Sequence, residues 1–315
     1  PALFGRHVVA SRDFNGDGLD DIVAGARGDD RVFVFFGDPS LSGSVFVDAA
    51  DIELTGSPSN QFGATVQSPG DIDSDGDPDL IVSNSLGLSQ TNWWFFSGSG
   101  TLQAGAASVT EQDAFHSVQE GTDVSWADPR FHVDDFIGDS ALDWVVADRA
   151  YNNTEGRIVG YEGASTVAAT LAGTPVTYVS GGEPGNQVGT GFALVGDVDG
   201  GGGVGFVASR LDDGGNQGAL GRTQLFSIDT TNAASPVHEL VGDTGVGLDG
   251  RIAASNDLSG DGTVDIVIAS SDGTDPATAT VILGDEFFDP GDGPSATRRV
   301  FTTENVGVPT SSRVV

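Results

Sequence analysis

Apolar residues in this chain fall in short runs, each closed by glycine, aspartate, asparagine or serine. Val32-Phe33-Val34-Phe35-Phe36, Trp93-Trp94-Phe95-Phe96, Trp144-Val145-Val146-Ala147 and Ile266-Val267-Ile268-Ala269 are typical. Runs of this length, rich in β-branched and aromatic residues and bounded by turn formers, read as β-strands. They are nearly continuous rather than alternating, which predicts sheets covered on both faces. The Trp93–Phe96 cluster is therefore expected in a core between sheets rather than on a ligand platform. No long amphipathic helix pattern occurs. Residues 109–120 have room for a turn or two of helix, but they sit where a strand and a connector belong.

The strands recur with a period. Five segments align without gaps, led by Phe4-Gly5, Phe62-Gly63, Trp126-Ala127, Val188-Gly189 and Leu248-Asp249. Their starts are 58, 64, 62 and 60 residues apart. Nine residues after each lead comes an aspartate that opens a loop, and a Val/Ile strand leaves that loop. A period of about 60 residues holds four short strands and their turns, the content of one propeller blade. In the first copy the strands are expected at Arg6–Ser11, after the loop, at Val32–Phe36 and at Ser44–Val47. Val176–Val179 is the expected fourth strand of the third copy. The fold class is thus all-β, a propeller of four-stranded antiparallel blades forming one domain over residues 1–315. Val306-Gly307 falls where a sixth copy would begin, so five blades and one further strand are expected, as part of a six- or seven-bladed ring.

The recurring loop is nine residues long and acidic. The first copy carries Asp13, Asn15, Asp17 and Asp21 at positions 1, 3, 5 and 9, and the second carries Asp71, Asp73, Asp75 and Asp79. The fifth has Asp257, Ser259, Asp261 and Asp265; the third has Asp135, Asp139 and Asp143 with Ile137 at position 3. The fourth keeps only Asp197 and Asp199, with Gly201 and Gly205 at positions 5 and 9. Calcium takes six to eight oxygen ligands, and alternate carboxylates in a tight loop, with a backbone carbonyl at position 7, supply them. Glycine at position 4 or 6 permits the tight wrap. Asp-Gly pairs also make plain hairpin turns. Recurrence at one phase, with acids at the ligand positions, favours the metal. About three calcium sites are expected, strongest in the second and first loops, weaker in the fifth and third, with the fourth empty.

Composition adds a charge argument. The net charge is −33, all 13 basic residues are arginine, and lysine is absent. So negative a surface repels nucleic acid and anionic membranes. It stays soluble in high salt, where its self-repulsion is screened. Acid-rich, lysine-free composition resembles that of proteins from extreme halophiles. The 47 glycines fit many tight turns. Cysteine is absent, which removes disulfides and thiol chemistry. No apolar run approaches the ~18 residues of a membrane span, and none reads as a signal peptide. Methionine is missing even from position 1, so the chain is expected to be a processed product or part of a longer one.

Phe4-Gly5 with Ala24-Gly25-Ala26, Phe62-Gly63 and the aspartate loops together resemble the FG-GAP repeats of integrin α-subunits and their microbial relatives. The FG element departs in the third, fourth and fifth copies, and the GAP element is clear only in the first. The resemblance implies a propeller with calcium in hairpin loops at one rim, and a role in adhesion and ligand binding. It implies no reaction, since the fold also carries lectins and carbohydrate-active enzymes.

Catalytic patterns are sparse. His7, His116, His132 and His238 form no close-spaced metal signature, and no nucleophile elbow or phosphate loop occurs. Gly200–Gly203 belongs to the degenerate fourth loop, and Arg27-Gly28-Asp29 reads as a turn rather than an adhesion motif. The expectation is a non-enzymatic extracellular module at the surface of a halophilic cell or its virus, sited on a cell or virion. Its partner would be a protein or glycan, within a larger assembly, without membrane insertion. The alternative is a carbohydrate-binding or carbohydrate-cleaving propeller, a lectin or a polysaccharide lyase or hydrolase.

Overall fold

The structure is a computed structural model. It describes residues 3–40, 43, 44, 46–84, 91–103, 105, 108–119, 129–196, 204–210, 221–229, 233–241, 251–254, 258, 264–270, 278–282 and 298–302. The chain divides into two compact units, the first made of residues 1–127, 131–134 and 163–174, the second of 128–130, 135–162 and 175–315.

Strand β1 (Phe4–Arg12), β2 (Asp21–Ala26), β3 (Arg31–Phe35) and β4 (Ile52–Thr55) form the first sheet in that order. The second sheet is β5 (Thr65–Gly70), β6 (Asp79–Ser83), β7 (Asn92–Phe96) and β9 (His116–Gln119), with the short β8 (Val109–Thr110) between β7 and β9 in sequence. Three further sheets repeat the order. They are β10 (Pro129–Asp134) to β13 (Val176–Ser180) through β11 (Asp143–Asp148) and β12 (Arg157–Tyr161); β14 (Phe192–Gly196), β15 (Val204–Arg210), β16 (Arg222–Ile228) and β17 (Ala234–Val241); and β18 (Arg251–Ala254), β19 (Ile266–Ser270), β20 (Thr278–Ile282) and β21 (Arg298–Thr302). Each sheet is built on an antiparallel meander of four strands, and such meanders in sequence order are the blades of a β-propeller.

The loop aspartate at position 9 starts the second strand in three sheets, as Asp21, Asp79 and Asp143. From there the register carries side chains to alternate faces. In the first unit, Val23, Val32, Val34, Ile52 and Leu54 of the first sheet pack with Leu80, Val82, Trp94 and Phe96 of the second. Phe62 lies among them, fully buried, with its ring edge-on to Trp94 at 5.3 Å between centroids. Trp93 faces the other way, edge-on to Phe131 at 5.5 Å. The four aromatics of β7 are core, as their continuity along the chain indicated. In the second unit the same alternation places Val145, Ala147 and Ile158 against Phe192, Phe206 and Phe226. It also places Val207 and Leu225 with Ile266, Ile268 and Ile282.

The FG and GAP elements have a steric meaning. Gly63 has φ +83, and its N–H donates to the Ser83 carbonyl at 3.0 Å. A Cβ on Gly25 would lie 2.3 Å from the Gly63 carbonyl oxygen, and one on Gly63 would lie 2.4 Å from the Arg31 carbonyl oxygen. The glycine of one copy therefore backs onto the GAP glycine of the copy before it, and neither tolerates a side chain. In the second unit Val188 takes the place of Phe62 and is equally buried. Gly189 keeps φ +89 and donates to the Ser209 carbonyl at 3.0 Å. The departures at Trp126-Ala127 and Leu248-Asp249 lie outside the described residues, as does Val306-Gly307.

One expectation needs correction. The fourth strand of the first sheet is Ile52–Thr55, not Ser44–Val47, where residues 47–49 form a single 3-10 turn and Phe46 is 75% exposed. Register decides this, since Ile52 and Leu54 pair with Val34 and Val32 and are buried. In addition, β8 joins the first sheet as a fifth strand, parallel to β4 through Leu54↔Val109 and Thr55↔Thr110. Residues 111–113 make one 3-10 turn before the true fourth strand of the second sheet, β9.

Candidate metal centre

Each of the first three acidic loops hangs between the first and second strand of its sheet, and its backbone wraps around its own carboxylates. In the first loop Asp13 accepts from the N–H groups of Gly16 and Gly18, both at 2.7 Å, and of Asp17 at 3.1 Å. In the second, Asp71 accepts from Asp75 at 3.1 Å and Gly76 at 2.9 Å. In the third, Asp135 accepts from Gly138 at 2.7 Å and from Asp139 and Ser140 at 3.0 Å. Position 5 completes the wrap. Asp17, Asp75 and Asp139 accept from the N–H two residues on, Leu19, Asp77 and Ala141, at 2.9, 3.0 and 2.8 Å. Such a wrap forces left-handed backbone at positions 4 and 6: Gly16 and Gly18, Ser74 and Gly76, Gly138 and Ser140 all have positive φ. Both positions are left-handed, and where the second and third loops have glycine at only one of them, Ser74 or Ser140 takes the other.

The position 9 carboxylate does something different. Asp21, Asp79 and Asp143 are buried, and each accepts from the N–H at position 2 of its loop, from Phe14 at 2.7 Å, Ile72 at 2.7 Å and Phe136 at 2.9 Å. Asp265 does the same for Leu258 at 2.7 Å. The position 2 side chains Phe14, Ile72 and Phe136 are themselves core. The other oxygen of Asp21 accepts from Gly37 N–H at 2.8 Å, and that of Asp79 from Gly98 N–H at 2.9 Å.

Gly37 and Gly98 are functional residues that the sequence reading passed over. They follow the third strand and touch the loop so closely that a Cβ would lie 2.7 Å from the Asp20 carbonyl oxygen and 2.3 Å from that of Pro78. The signal was there: glycine also stands at 163 and 284 in the third and fifth copies. The fourth copy, whose position 9 is Gly205, has Ile228 instead, paired opposite Val204 in the ladder.

Among the described residues the second loop gathers its acids most tightly. Asp71, Asp73 and Asp79 each present a carboxylate oxygen within 4.8 Å of the others, the one such group among the described residues. Burial pushes the Asp79 carboxyl up to about 7, against the N–H bonds from Gly98 and Ile72, with the Asp73 charge adding to the rise. Asp73 is raised by burial and by Asp75. Burial works upward on Asp75 too, but the Ser99 hydroxyl, Asp77 N–H and Ser97 hydroxyl hold it below the usual carboxylate range. Asp21 is raised by burial. Converging carboxylates held on backbone N–H groups, one of them buried and strained toward neutrality, are the donor chemistry that a hard divalent cation requires. The residues fit calcium.

Asp13, Asn15, Asp17 and Asp21 share one loop, with the Asn15 amide donating to Asp17 at 3.1 Å. Asp135, Asp139 and Asp143 share another; Ile137 contributes only its N–H, to Asp143 at 3.0 Å. Of the fifth loop Asp265 is described; Asp257, Ser259 and Asp261, and Asp197 and Asp199 of the fourth, lie outside the described residues. His7, His116 and His132 lie on strands β1, β9 and β10. His7 is half-buried in β1, and His116 lies against Phe95 at 5.5 Å between rings. The environment of His132, burial first and then the Arg12 charge, holds its imidazole down to about 4. The His238 side chain is not described. Arg27-Gly28-Asp29 forms the β2–β3 turn, closed by Asp29 N–H to the Ala26 carbonyl at 2.9 Å.

Comparison with known proteins bears on this geometry. Residues 13–82, from the first aspartate of loop one through loop two and into β6, match the FG-GAP-like repeat family. Integrin alpha-4 of Xenopus laevis is 39% identical over 90 residues, covering 26% of this chain and 8% of the integrin. The chain therefore carries an FG-GAP-like repeat of the kind found in an integrin α-subunit, and spans under a tenth of that relative's length.

Proposed function

We propose that this chain is a calcium-stapled FG-GAP propeller that acts as a non-enzymatic recognition or adhesion module outside the cell, at the surface of a halophilic cell or its virus. The observation that carries the proposal is the Asp71, Asp73 and Asp79 cluster, set within the FG-GAP-like repeat. Asp71, Asp73, Asp75 and Asp79 would hold one ion, and Asp13, Asn15, Asp17 and Asp21 a second. Asp257, Ser259, Asp261 and Asp265, and Asp135, Asp139 and Asp143, form weaker sites. Bound calcium supplies positive charge that relieves carboxylate repulsion and ties each hairpin to the strand behind it.

The protein's residues do the positioning. Position 9 fixes the loop to the core through the position 2 N–H. Position 1 gathers the loop amides, and Gly37 or Gly98 brings in the third strand. That construction makes rigid hairpins rather than a reaction centre, and rigid hairpins present neighbouring loops to a partner at low entropic cost. The acidic surface directs the choice of partner toward a protein over nucleic acid or anionic lipid.

The test is calorimetric titration of the chelator-treated protein with calcium at fixed ionic strength, alongside thermal melting. Saturable binding of more than one ion, with a rise in melting temperature, is expected. Absence of both would sink the metal reading. Binding to glycan arrays lost on mutation of loop aromatics would favour a lectin over a protein-binding module.

A further inference from the structure

Loops one and two differ in how position 5 is held. In the first loop Asp17 turns back on its own loop, accepting from Leu19 N–H at 2.9 Å and the Asn15 amide at 3.1 Å. In the second, Asp75 Oδ1 keeps the equivalent bond, to Asp77 N–H at 3.0 Å. Its Oδ2 leaves the loop. It accepts from Ser97 Oγ at 2.7 Å and from Ser99 Oγ. Ser97 also caps the single-turn helix α1 (Gly98–Thr101), accepting from Gly100 N–H at 3.1 Å. Accordingly Asp75 stands outside the close group of Asp71, Asp73 and Asp79. The repeat does not demand this arrangement. Aligned on Gly37 and Gly98, the first copy has Phe36 and Asp38 where the second has Ser97 and Ser99, and neither offers a hydroxyl.

We infer that Ser97 and Ser99 form a latch that competes with calcium for Asp75, lowering the affinity of the second loop and coupling its occupation to the α1 turn. The inference rests on the calcium reading above. A carboxylate engaged by hydroxyl donors gives them up only for a comparable interaction, and a divalent cation is the group that supplies one. With Oδ2 on the ion, Ser99 loses its partner, while Ser97 keeps its cap and its bond to Asp73. The second loop, despite its extra carboxylate, then fills at higher calcium than the first, and its filling loosens residues 98–101.

Hydrogen exchange on the intact chain, titrated with calcium alone at fixed ionic strength, separates the possibilities. Calcium is expected to slow exchange across residues 71–79 and to speed it across 99–102. Ser99→Ala should lower the calcium midpoint for protection of 71–79 by about three- to tenfold, the scale of one lost hydrogen bond to a charged group at a partly solvated site. Ser99→Thr, which keeps the hydroxyl, should hold the wild-type midpoint. An unchanged or higher midpoint in Ser99→Ala overturns the latch, whatever happens at α1. Failure of calcium to protect 71–79 at any concentration removes the metal reading and the latch together, so the two failures are distinguishable.

Discussion

A buried aspartate, even with three backbone N–H donors, is an unusual place to put a charge, and Asp79 carries the consequence. Its carboxyl titrates at about 7 in the fold against 3.8 unfolded. A raised value favours folding in the protonated form, so without metal its contribution is fully present below about pH 4 and is lost as pH rises through 7. Calcium requires the ionised form and reverses the preference. The calcium-induced gain in melting temperature should therefore be larger at pH 7.5 than at pH 5, and Asp79→Asn should flatten that difference. Asp71 separates charge from hydrogen bonding in another way. Asp71→Asn keeps one oxygen, enough for the N–H of Asp75 or of Gly76 but not both, and loses the anion. Melting in chelator should then fall by the equivalent of one backbone hydrogen bond, about 1 kcal/mol, while the calcium-dependent gain falls by half or more. Equal losses with and without calcium would mean that Asp71 serves only the loop backbone.

At the scale of elements, the recurrence of acids made the loops readable, but not their attachment to the fold. The partner of Asp79 that matters most after its own loop is Gly98, nineteen positions on and just past another strand. No local pattern connects two such residues. Gly98→Ala should destabilise by about 2–3 kcal/mol in urea unfolding, because its Cβ would meet backbone at 2.3 Å and an overpacked core cannot yield cheaply. The same limit explains the misplaced strand. Val45-Phe46-Val47 is locally the more apolar run, whereas Ile52–Thr55 carries Glu53 and looks weaker. What selects the latter is pairing with β3 and the Arg31–Glu53 ion pair at 3.2 Å, both non-local. Ile52→Ala should cost about 2–4 kcal/mol, and Phe46→Ser, at a mostly exposed site, within about 0.5 kcal/mol of nothing. The Trp93–Phe96 core was legible because continuous apolarity is a property of one strand. The substitution of Val188 for Phe62 was not, since only burial against Ala147 and Phe192 shows that valine fills the same role.

For the molecule as a whole, two stabilising effects of cations act at once, and they can be told apart. A net charge of −33 repels itself over the whole surface, and any salt relieves it through screening that saturates as the Debye length falls to about 3 Å at 1 M. Calcium at converging carboxylates acts instead by mass action at defined sites, so its effect continues as RT ln(1 + [L]/Kd) after screening is complete. Melting temperature should thus climb with monovalent salt and level off near molar concentration. At that plateau, millimolar calcium should raise it further, and chelator should take the increment away. Magnesium supplies the same charge but demands rigid octahedral geometry and keeps its water, so at equal concentration it should recover less than half of the calcium increment. If magnesium matched calcium at the plateau, the loops would be acting as a diffuse acidic surface. If calcium alone raised the plateau, the hairpins would be built sites.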